Sequence, residues 1–276
     1  MLSIIIPANN EEGFIGPCLD ALLASEGNVG AVEIIVSSNA SIDATVAEAE
    51  VRRSAADARG WSLVILDGAE PGKPAALNRA DAAAKHGSRA YLDADVLVEP
   101  ALLQGLMTAL DSETPVFTSG RLTVARARSW ITRRYAETWV RLPFMQSAVP
   151  GAGLFAVNAL GRARWDEFPD VISDDTYVRL QFTPDERAQV EARYHWPLVE
   201  GARRLIRVRR RQITGDREIA AKYPELMANE GKSSLGISEH LKLFFAAPLS
   251  YAVYSAIIAC VRFGDLTATE RWDRGR

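Results

Sequence analysis

Residues 89–98 read RAYLDADVLV, an apolar segment that runs into two acidic residues one position apart. In an extended chain, side chains two positions apart point to the same face, so Asp93 and Asp95 can face one space together. Two such carboxylates repel each other unless a cation lies between them, and their oxygens suit hard ions such as Mg²⁺ or Mn²⁺, which often take further ligands from phosphates. The segment therefore predicts a buried strand with a divalent-metal and diphosphate site at its carboxyl end. The same residues also fit a solvated acidic turn.

The composition narrows the class of protein. The chain has 276 residues, of which 48% are hydrophobic, and a formal net charge of -3. A chain of this size can bury a large core, and its acidic balance argues against binding to nucleic acid. Cys18 and Cys260 lack the spacing of a disulfide framework or a zinc site, and the amino terminus lacks the features of a signal peptide. These observations favour a cytoplasmic protein.

Strand-like and helical patterns alternate in the first hundred residues. We predict strands at residues 2–6, 32–36, 61–66 and 89–93, each of the first three followed by a polar loop and a helix. Because this alternation implies right-handed crossovers, we predict an α/β fold with a mainly parallel twisted sheet flanked by helices. The loops at the carboxyl ends of the strands then open onto one edge, where ligands bind in such sheets.

The alternation weakens after Pro100. Residues 115–124 are predicted as a strand and residues 125–145 as a long helix. That helix carries Trp130, Tyr135 and Trp139 at helical spacing, and we expect these aromatic side chains in the core.

Six segments, taken together and in order, resemble the family 2 inverting glycosyltransferases of the GT-A fold. They read SIIIPANNEE at 3–12, IIVSSNASIDAT at 34–45, GKPAALN at 72–78, DAD at 93–95, GAGLFAV at 151–157 and SDDTYVRL at 173–180. The resemblance implies a GT-A domain at 1–222, with a nucleotide-binding half at 1–99 and an acceptor half at 100–222, followed by a helical carboxyl-terminal appendage at 223–276. The implied function is metal-dependent transfer of a sugar, with inversion, from a nucleotide-diphosphate sugar to a hydroxyl acceptor.

The resemblance also assigns residues to the donor. Lys73 stands just before a predicted helix, where the helix dipole disfavours a cation. This favours a role in binding a phosphate or the base-proximal ribose over a plain surface lysine. Ser38 and Asn39 replace an acid-containing pair that is common in the family, so the base of the nucleotide stays open. Read alone, Glu12 fits a solvated helix start and Asp43 a helix cap. Metal ligands to Mg²⁺ or Mn²⁺ are implied at Asp95 and Asp93, and nucleotide contacts at Pro7, Ala8, Asn10, Glu12, Ser38, Asn39, Asp43, Lys73, Asp93 and Ala94.

The acceptor side centres on a second pair of acids. Ser173 is predicted to cap a helix whose first turn holds Asp174 and Asp175, and a simple helix start explains that much. Inverting transfer also needs a base for the acceptor hydroxyl, and the resemblance implies Asp175 as that base, with Asp174 beside it. In the family the pair is usually Glu-Asp. The implied acceptor or diphosphate contacts are Gly151, Ala152, Gly153, Arg209 and Arg211.

The arginine-rich segment 203–217 and the apolar segment 243–261 bear on the partner of the chain. The arginines fit a solvated helix face, a diphosphate clamp, or a patch for anionic lipid or a phosphorylated acceptor. The apolar segment, about 19 residues long and interrupted by Pro248, fits an interfacial helix, a packed helix or a membrane span. We expect peripheral contact with the inner face of the cytoplasmic membrane and a hydroxyl acceptor that is lipid-linked.

Two other functions are compatible with the residues. A catalytically silent nucleotide-sugar-binding or regulatory protein would explain Ser38 and the Asp-Asp pair. A nucleotidyltransferase also uses paired acids and Mg²⁺, but the glycine segment at 151–153 and Asp175 argue against it.

Overall fold

The computed structural model describes residues 1–147, 149–231 and 235–263. Within them, eight strands form one sheet in the order β3-β2-β1-β4-β7-β6-β8-β5. The strands are β1 Leu2–Ala8, β2 Val32–Asn39, β3 Ser62–Gly68, β4 Ser88–Leu92, β5 Leu97–Val98, β6 Phe117–Val124, β7 Leu154–Val157 and β8 Arg187–Trp196.

Helices pack against the sheet and extend beyond it. The α-helices are α1 Ile15–Leu23, α2 Thr45–Glu50, α3 Arg53–Ala58, α4 Lys73–Ala83, α5 Leu102–Leu110, α6 Trp130–Trp139, α7 Pro143–Ser147, α8 Ala159–Arg162, α9 Asp174–Arg179, α10 Ala202–Lys222, α11 Ile237–Ala246 and α12 Pro248–Phe263. Two 3-10 helices lie at Pro184–Glu186 and Pro224–Asn229.

The sheet is parallel in its first half and mixed in its second. Strands β3, β2, β1 and β4 pair in parallel, as the alternating sequence pattern predicts. Strand β7 runs antiparallel to both β4 and β6, and β8 runs parallel to β6. As a result, the amino end of β7 meets the carboxyl end of β4, and the Asp93 N–H donates to the carbonyl of Gly153 at 2.9 Å.

Strand β1 explains why the sheet is covered on both faces. Its residues alternate between two cores: Ile4 and Ile6 pack with α1 and α5 on one face, and Ile5 packs with residues of α4 and α9 on the other. Each of these side chains is at least 99% buried, and burial of an aliphatic side chain stabilises a fold by about 1.5–3 kcal/mol. A strand buried on both faces reads as a continuous apolar run, which is the pattern at residues 2–6.

Two of the predicted helices are interrupted. The predicted helix after β2 is divided into α2 and α3, and the predicted helix at 125–145 begins only at Trp130 and is divided into α6 and α7. Before Trp130, the carboxylate of Glu200 accepts hydrogen bonds from the backbone N–H groups of Arg128 and Ser129, each at 2.7 Å, and holds that segment in a loop. Trp130 itself is 46% exposed, so its prediction as a core residue is wrong.

The apolar segment at 243–261 is also divided. Helix α11 ends at Ala246 and α12 begins at Pro248, because proline has no N–H with which to continue a helix. Helix α12 packs on α6, where the Ser250 hydroxyl donates to Glu137 at 2.7 Å. In the described ranges, none of the helices combines the length and the hydrophobicity needed to cross a bilayer. The division at residue 222 stays a prediction, and residues 264–276 of the predicted appendage lie outside the described residues.

Candidate active site

Three acidic side chains converge at the carboxyl ends of β1 and β4. Asp93 and Asp95 follow β4, Glu11 lies in the loop after β1, and all three line one cavity of about 1080 Å³. The thiol of Cys18 lies behind them, with its sulfur 3.9 Å from the carbonyl of Asp93. Burial, followed by the charges of Asp95, Asp93 and Glu11, raises the pKa of this thiol far above its ordinary value. The three carboxylates therefore concentrate negative charge at one point of the cavity wall.

The strand-end acids have the chemistry of a partial Mg²⁺ or Mn²⁺ site. Asp93 and Asp95 supply carboxylate oxygens, which are the ligands that these hard cations prefer. Among the described residues, no group of three or more histidine, cysteine or acidic side chains could hold a metal ion. The two aspartates thus fit an ion that keeps waters and takes its remaining ligands from a substrate, as Mg²⁺ commonly does, rather than an ion enclosed by protein.

Lys73 joins the strand-end acids to the acids of α9. It begins helix α4, and its Nζ lies 3.0 Å from Asp93 Oδ1 and 3.0 Å from Asp174 Oδ2. Although burial opposes the charged form, Asp174, Asp93 and Asp175 together raise the pKa of Lys73. The ammonium is therefore a fixed cation that joins Asp93 to Asp174, 81 positions further along the chain.

Asp175 faces a smaller cavity of about 90 Å³, whose lining also includes Asp93, Lys73 and Trp196. Burial and then the charge of Asp174 raise the pKa of Asp175 to about 6, against the opposing effects of Lys73 and the Thr176 N–H. That N–H donates to Asp175 Oδ1 at 2.7 Å and orients the carboxylate. A carboxylate with this pKa is ionised at neutral pH and is basic enough to accept a proton.

Helix α9 is fixed at its carboxyl-terminal end by a buried ion pair. Arg179, only 1% exposed, donates from Nη2 to Glu230 Oε2 at 2.7 Å and from Nη1 to the Glu230 carbonyl at 3.0 Å. The predicted cap is absent at the other end of the helix, because the Ser173 hydroxyl makes no capping hydrogen bond. Tertiary contacts, and not a side-chain cap, therefore position Asp174 and Asp175.

The glycine segment between Asp93 and Asp175 has little room for side chains. Gly151 and Gly153 have φ values of +69° and +74°, which favour glycine. A Cβ at Gly151 would lie 2.8 Å from the ring of Phe117, and a Cβ at Gly153 would lie 2.9 Å from the indole of Trp196. The hydroxyl of Tyr194 also donates to the Ala152 carbonyl at 2.7 Å. The segment is thus a fixed part of the smaller cavity's wall, with the side chains of Phe117 and Trp196 packed closely against its backbone.

Several predicted nucleotide contacts instead organise the loop after β2. Ser38 donates to Asp67 at 3.0 Å. The Asn39 amide, oriented so that both its groups are bonded, donates to the Ala8 carbonyl at 2.7 Å and accepts from the Gly72 N–H at 3.1 Å. Pro7, Lys73, Asp93 and Ala94 do line the larger cavity. Six of the ten predicted nucleotide contacts line neither cavity: Ala8, Asn10, Glu12, Ser38, Asn39 and Asp43.

Glu11, and not Glu12, faces the larger cavity. The N–H of Glu12 donates to Asp43 at 3.1 Å, and its carboxylate accepts from the Ala44 N–H at 3.2 Å, so Glu12 ties the first loop to the start of α2. The pKa of Asp43 is lowered. Burial alone would raise it, but hydrogen bonds from Thr45 and from the Glu12 N–H stabilise the charged carboxylate. Adjacent acids in a loop give no sequence signal for which of them points inward.

A model of the family described as Glycosyl transferase family 2 matches residues 3–160, which is more than half of the chain. The chain belongs to glycosyl transferase family 2. The matched range contains β1–β4, Lys73 and the strand-end acids, but ends before Asp174 and Asp175.

Solved structures show the fold of this glycosyltransferase. The mannosyltransferase PcManGT from Pyrobaculum calidifontis, in complex with GDP-Man and Mn²⁺, is similar with 22% identity and a TM-score of 0.59, over 96% of this chain and 76% of that chain. The 1–349 segment of S. aureus TarS in complex with UDP-GlcNAc is similar with 15% identity and a TM-score of 0.57, over 95% of this chain and 91% of that chain. A comparison with curated proteins gave no match. The predicted GT-A fold with carboxyl-terminal helices is confirmed.

The two arginines that are predicted to contact the acceptor or the diphosphate both line a cavity. Arg211 lines both cavities, and Arg209 lines only the larger one. Other residues of the larger cavity carry little sequence signal, because they lie in loops, at the end of β8 or on helices whose pattern indicates only packing. These are Glu11, Arg128, Tyr135, Trp139, Trp196 and Arg204.

Proposed function

We propose that this family 2 glycosyltransferase is a metal-dependent, inverting enzyme that moves a sugar from a nucleotide-diphosphate sugar to a hydroxyl acceptor. The observation that carries the proposal is the position of Lys73, 3.0 Å from both Asp93 and Asp174. The strand-end acids and the acids of α9 thus line two neighbouring cavities, whose shared wall includes Lys73, Asp93 and Asp174.

Asp175 is the proposed general base. Its carboxylate faces the smaller cavity, and its pKa of about 6 leaves it ionised at neutral pH. The acceptor hydroxyl would pass its proton to this carboxylate as it attacks the sugar from the face opposite the leaving diphosphate. Asp174 pairs with Lys73, and its charge contributes to the raised pKa of Asp175.

The leaving diphosphate is proposed to lie near Lys73 and Arg211, both of which line the two cavities. Cations that are fixed before the reaction stabilise the negative charge that develops on a leaving group. Mg²⁺ or Mn²⁺, held by Asp93 and Asp95, would supply a further Lewis-acid charge for the diphosphate. The similarity to a mannosyltransferase solved with GDP-Man and Mn²⁺ supports this type of donor and metal.

The experiment is a donor-hydrolysis and transfer screen. The full chain is incubated with Mn²⁺, a panel of nucleotide sugars and hydroxyl acceptors, and the released phosphates are identified. A glycosyltransferase releases nucleoside diphosphate, a nucleotidyltransferase releases pyrophosphate, and a silent binding protein releases neither. Asp175→Asn should abolish transfer, whereas Asp185→Asn, at an exposed position outside both cavities, should not. The anomeric configuration of the product, read by NMR, tests inversion.

Contact with the inner face of the cytoplasmic membrane, and with a lipid-linked acceptor, is also proposed. Helix α11 exposes apolar side chains at helical spacing, with Ile237 82% exposed and Phe245 75% exposed, and Lys242 lies between them. Such a surface suits the interface of an anionic bilayer. Flotation with anionic vesicles should retain the protein, and Phe245→Ser should weaken retention. Ile42→Ser, which removes a 94% exposed side chain elsewhere, is the control, and equal retention of both variants would count against the proposal.

A further inference from the structure

The larger cavity extends from the acids into an apolar region formed by α6, the segment after β8 and α10. The rings of Trp139 and Trp196 lie 5.8 Å apart, tilted by 41°, and form one part of its wall. The apolar side chains that line this region are Tyr135, Trp139, Trp196, Leu198, Leu205 and Val208. Leu198, Leu205 and Val208 offer no hydrogen bonds, and together with the aromatic rings they form an apolar surface that suits a hydrocarbon.

Tyr135 and Arg209 both line this apolar region, and each has a buried polar atom without a hydrogen-bond partner within the described part of the chain. Tyr135 is only 1% exposed, and its hydroxyl bonds to nothing. Arg209 bonds to Gln212 through Nη1 at 2.6 Å, but its buried Nε has no partner. A buried donor without a partner is costly, so both groups point to a ligand that accepts hydrogen bonds.

The elements that form this region contribute Arg204, Arg209 and Arg211 to the cavity wall, against one acid, Glu200. In the described ranges, Arg209 forms no ion pair, and Arg128 and Arg204 line the same cavity. Glu200 also belongs to the wall, but its carboxylate is occupied by the N–H groups of Arg128 and Ser129. Burial raises the pKa of Tyr135 to about 12 despite the opposing charge of Arg209, so its hydroxyl stays a neutral donor at working pH. Guanidinium and hydroxyl donors together suit a phosphate.

We propose that this region is a subsite for an amphipathic acceptor, with Arg209 and Tyr135 binding a phosphate and Trp139, Trp196 and Leu205 packing against an attached hydrocarbon. The inference rests on the proposed function for one point, which is that the acceptor's hydroxyl reaches Asp175. Trp196 makes that path direct, because its side chain lines both the apolar region and the smaller cavity that holds Asp175.

The test is a calorimetric titration of the full chain with octyl phosphate, kept below its micelle concentration and without nucleotide or metal. Parallel titrations use octyl glucoside, which has the hydrocarbon but no charge, and inorganic phosphate, which has the charge but no hydrocarbon. We expect octyl phosphate to bind at least about tenfold more tightly than either one. Arg209→Gln should weaken it by about tenfold or more, and Tyr135→Phe, which removes only the hydroxyl, by about three- to tenfold.

Two matched variants control for loss of a charge or a hydroxyl elsewhere. Arg210→Gln removes the neighbouring guanidinium, which donates to the Cys260 carbonyl and lies outside the cavity. Tyr251→Phe removes a hydroxyl that is bonded to His240. Both should bind octyl phosphate within about twofold of the unaltered protein.

Three results would overturn the inference. They are equal binding of octyl phosphate and octyl glucoside, equal binding of octyl phosphate and inorganic phosphate, and an unchanged affinity in both Arg209→Gln and Tyr135→Phe. The titration needs no donor and no turnover, so its failure is distinct from failure of the proposed function. A protein that binds octyl phosphate as expected but releases no nucleoside diphosphate from any donor would refute the proposed function alone.

Discussion

Replacement of Lys73 by methionine tests the electrostatic centre of the site. The substitution keeps the length and apolar stem of the side chain but removes the ammonium that lies 3.0 Å from Asp93 and 3.0 Å from Asp174. Removing one partner of a fully buried pair costs about 3–5 kcal/mol. The side chains of Lys73 and Asp93 are 29% and 33% exposed, so water screens part of the interaction. We therefore expect a loss of about 1–3 kcal/mol in the free energy of unfolding.

The measurement is urea unfolding, followed by the fluorescence of the six tryptophans. Lys85→Met is the matched control, because Lys85 is exposed and lies just beyond the end of the same helix. We expect that variant to stay within about 0.5 kcal/mol of the unaltered protein. If Asp93 holds a metal, Mn²⁺ should restore more stability to Lys73→Met than it adds to the unaltered protein.

The pH dependence of this loss follows from two pKa shifts. The pKa of Lys73 is raised above 10.5, so its stabilising contribution is present below pH 10.5 and is lost as the pH rises further. The pKa of Asp175 is raised to about 6, so this carboxylate carries its proton at pH 5 and its charge at pH 8. The loss in Lys73→Met should therefore be larger at pH 8 than at pH 5. Equal unfolding free energies for the two lysine variants at pH 8 would refute the reasoning.

Three further predictions concern the base, the metal and the fold. Transfer by the unaltered enzyme should fall as the pH drops below about 6, where Asp175 takes up its proton, and a pH–rate profile that stays flat to pH 5 would contradict its role as the base. Asp95→Ala should abolish the Mn²⁺ dependence of donor binding measured by calorimetry, and an unchanged dependence would remove the proposed metal site. Gly120→Ala should lower the unfolding free energy by about 1–3 kcal/mol, because its Cβ would lie 2.6 Å from Leu102. Gly105→Ala, where the nearest atom would be 3.4 Å away, should be neutral or stabilising by up to about 1 kcal/mol in the same urea assay.

The strands and the position of the site could be predicted because their signals are local. Residues 2–6 are apolar except for Ser3, which predicts a buried strand. The acids at 93 and 95 directly follow another apolar run, which predicts a ligand site at the carboxyl edge of the sheet. The interruption of the helix predicted at 125–145 could not be read in this way. It depends on Glu200, which is 72 positions from Arg128 in the chain.

Most features of the site that could not be predicted from the sequence depend on contacts between segments that are distant in the chain. Lys73 could be assigned to a phosphate or the ribose from its neighbours, but its contact with Asp174 requires α4 and α9 to share one core. Tyr135 and Trp139 were correctly predicted as buried. Helical spacing reports burial without reporting whether a cavity lies beside the buried ring, so their place in the cavity wall was not predictable.

The ion pair between Arg179 and Glu230 ties the proposed base to a part of the chain that contributes nothing to either cavity wall. Every lining residue precedes position 213, so a protein shortened after residue 222 would retain the complete chemical inventory of the site. It would nevertheless leave a guanidinium that is 1% exposed without its carboxylate, at the carboxyl-terminal end of the helix that presents Asp175. The residues just after α10 therefore support the helix that carries the proposed base, and a shortened enzyme should retain the chain at least to residue 231.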